Sequence, residues 1–435
     1  MRSAPRVVIP LLVVLASALV TTAAAPSHGP SRGIRHASKL GRGSLAHHVR
    51  GGTLFHHPKG NIQGHDQEGV AKIPAGSFVK RVHTQQSETV PLQQGSPPPA
   101  AGHRARTLTF FRNTPRIVTG LGTPNDPNVA AAGQKVVVVN NEKISLSVDG
   151  GLTFHSFGVG SLYADAPDGG VCCDQVIRYA PSINRFIWID QYWNAVGHPN
   201  NRDRLAVFSP AAVTAGGLTS WTYWDITAAM LPGTHAFLDY PDLAVGNNYV
   251  YLSQDAGDAC CSVNQSFIAR IGLDNLQGGL NLAAGAHAWR YLDQVLLGGQ
   301  VTQNTLGRAF WARNTDTSHI QVNSWDESST SYLSPAATIT IGTWPNSDYV
   351  SKTPDGLPWI ATYGGSVIGE ARGGQKGNSL WFAWTAGRGT GQLSWLAQPH
   401  IELVEISASG LSLVSQRAIW NASYAFAYPA LMTNS

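Results

Sequence analysis

Tyr240-Pro241-Asp242-Leu243-Ala244-Val245, then Gly246-Asn247-Asn248, then Tyr249-Val250-Tyr251-Leu252 make up one unit of a recurring pattern. Gly and Asn tolerate the positive φ of a tight turn, and the flanking β-branched and aromatic residues favour a pleated, half-buried backbone. The same grammar stands upstream. Pro127-Asn128-Val129-Ala130 leads through Gly133-Gln134-Lys135 into Val136-Val137-Val138-Val139. Tyr179-Ala180-Pro181-Ser182-Ile183 leads through Asn184-Arg185 into Phe186-Ile187-Trp188-Ile189. A further copy starts at Tyr428-Pro429-Ala430-Leu431, and Ala309-Phe310-Trp311-Ala312 and Trp381-Phe382-Ala383-Trp384 read as strands of units lacking the proline.

Pro127, Pro181 and Pro241 are spaced almost evenly, and the interval from Pro241 to Pro429 is close to three of the earlier ones. Repeats of roughly 50–60 residues, each of four short strands, are the pattern of a β-propeller, whose radial closure leaves only short, protected edges. Residues 107–435 are therefore expected to be all-β, a β-propeller of about six four-stranded blades. After Tyr428-Pro429 only six residues remain. Either the last blade is incomplete, or an N-terminal strand such as Thr107-Leu108-Thr109-Phe110-Phe111 closes it.

Composition agrees. The 435-residue chain is 43% hydrophobic and only 13% charged, with 46 glycines. Charged residues are about half the usual quarter of a soluble domain, which argues against a helical bundle, and the apolar fraction argues against disorder. Residues 1–25 read as a signal peptide: Arg2 and Arg6, an apolar stretch from Val7 to Val20 broken by Pro10, and the small residues Ala23-Ala24-Ala25. The expected location is extracellular, with no membrane span after cleavage. Residues 26–106 carry 11 Lys or Arg, three Asp or Glu and nine of the 15 His. They end in Gln93-Gln94-Gly95-Ser96-Pro97-Pro98-Pro99, and read as a basic linker or pro-segment in which Gly69–Pro74 can add a strand. Residues 107–435 hold 17 basic against 23 acidic residues, so specific nucleic-acid binding is not expected of the folded part.

Ser147-Val148-Asp149-Gly150-Gly151-Leu152-Thr153-Phe154 fits the spacing Ser-x-Asp-x-Gly-x-Thr-aromatic. Asp149 is placed to accept N–H bonds across a turn that the glycines relax, with Phe154 packing beneath, so Ser147, Asp149, Gly151, Thr153 and Phe154 have structural roles. The motif resembles the Asp-box repeat of sialidase-like propellers. That resemblance implies a secreted glycosidase with an arginine clamp, a Tyr–Glu pair and an acid/base Asp. The match to that equipment is incomplete. Arg116-Ile117-Val118 lacks the proline of the family's first arginine segment. Arg270, Arg308, Arg313, Arg372, Arg388, Glu370 and Tyr363 have no family-specific spacing.

The four cysteines form two adjacent pairs, Cys172-Cys173 and Cys260-Cys261, in similar Asp/Gly-rich contexts. With a signal peptide and an even count, disulfides are expected. Cross-links between the two loops are the favoured connectivity, two vicinal bonds the alternative. The ligand-face candidates gather around these pairs: Asp165, Asp168, Asp174, Gln175, Tyr192, Asp255 and Asp258. Carboxylates among aromatics suit a sugar or a structural Ca²⁺, and Asp also caps turns. No other cofactor is called for. The functional expectation is a propeller that binds or hydrolyses a glycan, such as a cell-surface polysaccharide, with a non-catalytic extracellular scaffold as the alternative.

Overall fold

The computed structural model describes residues 34–36, 38–39, 47–50, 127–141, 143–162, 170–193, 200–228, 236–258, 265–277, 290–294, 299–351 and 371–433. All belong to one compact unit, Arg32–Ser435; the other unit, Met1–Ser31, lies outside them, with the signal-peptide reading.

In chain order, the N-terminal strands are β1 (Ile34–His36), β2 (Ser38–Lys39) and β3 (His47–Arg50). The first sheet is β4 (Asn128–Ala132), β5 (Lys135–Val139), β6 (Lys143–Ser147) and β7 (His155–Gly158). The second takes β8 (Val176–Ala180), β9 (Arg185–Tyr192), β10 (Arg202–Phe208) and, after the small hairpin β11 (Val213–Thr214) and β12 (Gly217–Leu218), β13 (Ser220–Thr227). The third is β14 (Phe237–Val245), β15 (Tyr249–Gly257), β16 (Gln265–Gly272) and β17 (Arg290–Gln294), with a short helix α1 (Leu273–Gln277) between the last two. The fourth is β18 (Arg308–Asp316), β19 (His319–Asp326) and β20 (Ser331–Thr340). The fifth is β21 (Arg372–Lys376), β22 (Ser379–Ala386), β23 (His400–Ser407) and β24 (Leu413–Ile419).

Among the described residues the molecule is all-β apart from α1 and short 3-10 turns, and the named strands pair antiparallel within each sheet. In the second, third and fourth sheets both faces of the inner strands are buried, which explains why those strands read as near-continuous apolar runs. Four apolar cores lie in succession. Trp188 and Phe186 pack with Val137 and Leu146 between the first and second sheets, and Ile189 and Leu205 with Leu238 and Leu252 between the second and third. Tyr251 packs with Trp311 and Trp325 between the third and fourth, and Phe310 and Val322 with Phe382 and Trp384 between the fourth and fifth. Burying such side chains contributes about 1.5–3 kcal/mol each.

Segments flanking the first strands of neighbouring sheets run alongside one another. Parallel bridges join Gly246 to Thr305 and Gln303 to Gly374. A Cβ on Gly246 would collide with the Thr305 side chain, so the close approach requires glycine there.

Five sheets of this kind occur among the described residues, against about six expected. The segment after β24 continues the series. Tyr428 has φ 54°, matching Tyr240 at φ 51°, each just before a proline. Asn304 donates to Thr433, whose hydroxyl donates to the Gln375 carbonyl, so the segment lies against the first strand of the fifth sheet. The proline spacing was a poorer guide than the strand pattern. Pro127 directly precedes β4 and Pro241 lies in the middle of β14, both edge strands of their sheets, where a missing N–H costs no ladder bond. Pro181 instead stands in the β8–β9 turn, so the prolines do not mark one recurring position.

Part of the basic N-terminal segment is structural. β1 pairs with β20, β2 with β17 and β3 with β13, each antiparallel on the outer edge of its sheet. The single stretch 34–50 thus borders the fourth, third and second sheets in turn. Gly69–Pro74, Thr107–Phe111 and Arg116 lie outside the described residues.

Candidate functional site

The turn β5–β6 and the starts of β8, β14 and β21 share one end of the sheets; the β6–β7 turn lies at the other. At that far end Asp149 accepts from the N–H groups of Leu152 and Thr153, both at 2.9 Å, and from the Thr153 hydroxyl at 2.6 Å. Ser147 donates to it at 2.7 Å, and Gly150 and Gly151 adopt φ 71° and 85°. These hydrogen bonds hold its carboxyl well below the usual range, Thr153 contributing most. Phe154 lies beneath Gly151, half-buried.

At the near end Cys172 and Cys173 are bonded to each other. The expected cross-link between loops is therefore overturned for this pair: adjacent residues on one short segment form the bond, and backbone pairing with β9 fixes that segment. The Cys172 N–H donates to the Gln191 carbonyl at 2.8 Å, and Trp193 N–H to the Gly170 carbonyl at 2.9 Å. Cys260, Cys261, Asp165 and Asp168 lie outside the described residues.

The remaining sequence candidates separate. Gln175 and Tyr192 are inside, not on the face. Gln175 bridges two sheets, donating to the Asn140 carbonyl and accepting from the Trp188 indole, while Tyr192 stacks against the Arg204 guanidinium. Asp174 has left-handed backbone, and its N–H donates to Asn141. Asp255 and Asp258 close β15, half-buried and exposed respectively.

Between β14 and β15 the register places Asp239 directly opposite Asp255, then slips by one residue, two β14 residues facing the single Gln254, before Asp242 meets Ser253. Tyr240 and Pro241 form that bulge, and the left-handed Tyr240 turns its exposed ring outward. Arg372 donates to the Tyr240 hydroxyl at 2.6 Å and lies 5.5 Å from the ring centroid. It also reaches Gln300 and, at 3.4 Å, Asp242. Arg178 completes the cluster from β8, bonding Asp242 at 2.9 Å, Asn128 at 2.6 Å and the Leu243 carbonyl at 2.8 Å. Asp242 is thus clamped by two guanidiniums, with first strands or segments of all five sheets contributing. Burial pushes the Arg178 pKa down, and Asp242 opposes that shift.

The two faces of β10 carry further buried charge. On one, Arg204 makes a two-point ion pair with Asp225, at 2.7 and 3.1 Å, beneath the Tyr223 ring. On the other, Asp203 accepts from Gln254 of the third sheet. Burial raises the Asp203 pKa well above the usual carboxylate value, and Asp190, Asp239 and Asp225 add to it.

Of the arginines the sequence suggested for a clamp, only Arg372 belongs to this cluster. Arg270 lies between Tyr249 and Trp325, Arg308 pairs with Asp326, Arg313 bonds Gln321, and Arg388 bonds the Val350 carbonyl. Glu370 and Tyr363 are outside the described residues. The sequence reading missed Arg178, Arg204, Asp203, Asp239 and Asp242. The one local signal was the charged triplet Arg202-Asp203-Arg204 running straight into Leu205-Ala206-Val207-Phe208. Among the described residues, no three His, Cys, Asp or Glu side chains form a metal-holding group, and no helix is long and apolar enough to cross a membrane.

No family model matches the chain, and no curated protein matches it. Among solved structures it is similar to a thermostable family-43 glycoside hydrolase: 14% identity over 71% of this chain and 96% of that one, TM-score 0.33. It is also similar to a family-43 endo-arabinanase from Bacillus licheniformis, at 10% identity over 66% of this chain and 95% of that one, TM-score 0.28. A Synechocystis apocarotenoid oxygenase gives 11% identity over 70% of this chain and 63% of that one, TM-score 0.32.

Proposed function

We propose that the sheets close radially as a β-propeller, and that the end bearing Cys172–Cys173 is a carbohydrate site at which a secreted protein binds or hydrolyses a glycan. The observation that carries this reading is the opposed, half-buried pair Asp239 and Asp255 beside the exposed Tyr240 ring and Arg372. Directly opposed residues of two strands have Cβ atoms about 4.5–5.5 Å apart. From that spacing two Asp side chains can set their carboxyls about 5–5.5 Å apart, as retaining glycosidases do. An exposed aromatic ring offers an apolar face to a sugar, and the guanidinium of Arg372 offers planar donors for its hydroxyls. The signal-like N-terminus supports secretion, and the parallel contacts beside the first strands support radial closure. The second reading, binding without cleavage, is favoured by the hydrogen bond that Asp255 accepts from Ser266, which ties up one carboxylate oxygen.

The test is incubation of the protein with a broad glycan panel, read by mass spectrometry for retained ligands and cleaved products. Asp239→Asn and Asp255→Asn are expected to lower cleavage at least about 100-fold, the usual scale for a lost acid/base group, while leaving retention. Tyr240→Ala is expected to weaken retention itself. Blank results with the parent protein, or unchanged behaviour of all three variants, would refute the assignment.

A further inference from the structure

Three acceptor oxygens near the boundary of the second and third sheets have no hydrogen-bond donor: Oδ1 of Asp203, Oε1 of Gln191 and Oε1 of Gln254. All three residues are at least 98% buried. A buried acceptor without a donor loses its hydration without return, so three together need an explanation.

Their arrangement is set by register. Gln191 stands directly opposite Asp203 across β9 and β10, so both side chains leave the same face of the second sheet. That face packs on the third sheet. From there Gln254 donates its amide N–H to the other Asp203 oxygen, while Gln191 donates its own to the Leu238 carbonyl at 3.0 Å and to Asp239 at 3.2 Å. The amide nitrogens are thus committed to protein acceptors, which leaves the amide oxygens for something electron-deficient. Charge argues the same way. The carboxylates of Asp190, Asp239 and Asp225 all act on Asp203 here, against two guanidiniums, Arg202 and Arg204, which both bond Asp225.

We propose that a hard cation, with Ca²⁺ preferred, binds between the second and third sheets through Asp203 Oδ1, Gln191 Oε1 and Gln254 Oε1. Carboxylate and amide oxygens are the ligands such an ion takes, and flexible coordination favours Ca²⁺ over Mg²⁺, which demands a tighter octahedron and gives up water reluctantly. The loop aspartates considered from the sequence are not part of this set. The site borders the proposed glycan carboxylates, since Gln191 also bonds Asp239, but it does not rest on the glycan reading and survives its failure. Asp203 must be ionised to serve as a ligand, so binding displaces its proton and strengthens as pH rises.

The full chain, stripped with EDTA, is titrated with CaCl₂ or MgCl₂ and followed by calorimetry and thermal melting. One Ca²⁺ is expected to bind per chain and raise the midpoint, with tighter binding at pH 8 than at pH 5.5 and a weaker response to Mg²⁺. Asp203→Asn and Gln254→Leu are each expected to weaken Ca²⁺ binding at least 10-fold. If Asp203→Asn fails to fold, Gln191→Leu takes its place. Absence of Ca²⁺ binding by the parent overturns the proposal. So does an undiminished response in the variants, which puts the ion elsewhere. A midpoint that rises on acidification with no response to Ca²⁺ also overturns it, since a proton on Asp203 then serves the acceptors.

Discussion

Asp149 organises the β6–β7 turn with one side chain, because four donors within four residues reach its two oxygens. Replacing it with Ala should lower the thermal midpoint at pH 7 and leave any ligand site untouched, since the turn is at the opposite end of the sheets. The effect carries a pH signature. Asp149 and Asp316 both have folded pKa values below the ordinary 3.8, that of Asp316 pushed down to about 2 by Ser318 and His319. Their stabilisation is complete above the unfolded value and drains away as pH falls through the folded ones. Calorimetric scans between pH 5 and pH 2.5 should therefore show the midpoint of the parent falling faster than that of Asp149→Ala. Asp203 has the opposite sign. Its folded pKa is raised, so without a cation its contribution to stability diminishes as pH climbs above 3.8. The Asp149 turn was legible because its donors and acceptor are neighbours in sequence. Asp203 was not, because its partner Gln254 is 51 residues away and a charged residue beside a strand ordinarily reads as solvent-facing.

The strands themselves were readable wherever a Gly/Asn turn separates two apolar runs, and β5, β9, β15, β18 and β22 contain the quoted segments. What strand grammar cannot give is lateral register. Arg204 falls opposite Asp225 only because β10 and β13 pair as they do, and neither local sequence marks the match. The side chain of Arg204 is fully buried, so losing it would take the two-point partner from a buried carboxylate and leave it to the more exposed Arg202. Arg204→Ala should cost about 3–5 kcal/mol in urea unfolding, as breaking one side of a buried pair usually does. The double variant Arg204→Met with Asp225→Leu should cost less than that single change, because it removes both charges at once. A double variant as unstable as the sum of the singles would show that packing around the rings of Tyr192 and Tyr223 matters more than the pair.

At the scale of the molecule, the five sheets among the described residues were close to what repeat spacing predicts, and a strand or two from the basic segment was expected, but not at β1, β2 and β3. Their segment is rich in Lys, Arg and His and short of alternating apolar residues, so it looks like a tail. Backbone pairing with a waiting edge asks little of side chains, which is why composition concealed it. Removing residues 26–50 should uncover the edges of β13, β17 and β20, and exposed edges are templates for further pairing. The shortened protein is expected to melt lower and to self-associate with rising concentration in light scattering, whereas the full chain scatters as a single species over the same range.

That border also sets an order of events in synthesis. Ile34, Arg35 and His36 leave the ribosome long before Ser331, Tyr332 and Leu333, the partners they join, have been made. Throughout translation, and through any passage across a membrane, this stretch must wait with its backbone unpaired while the sheets it will border take shape. Cells that make the protein therefore have reason to shield its beginning until its end has been made.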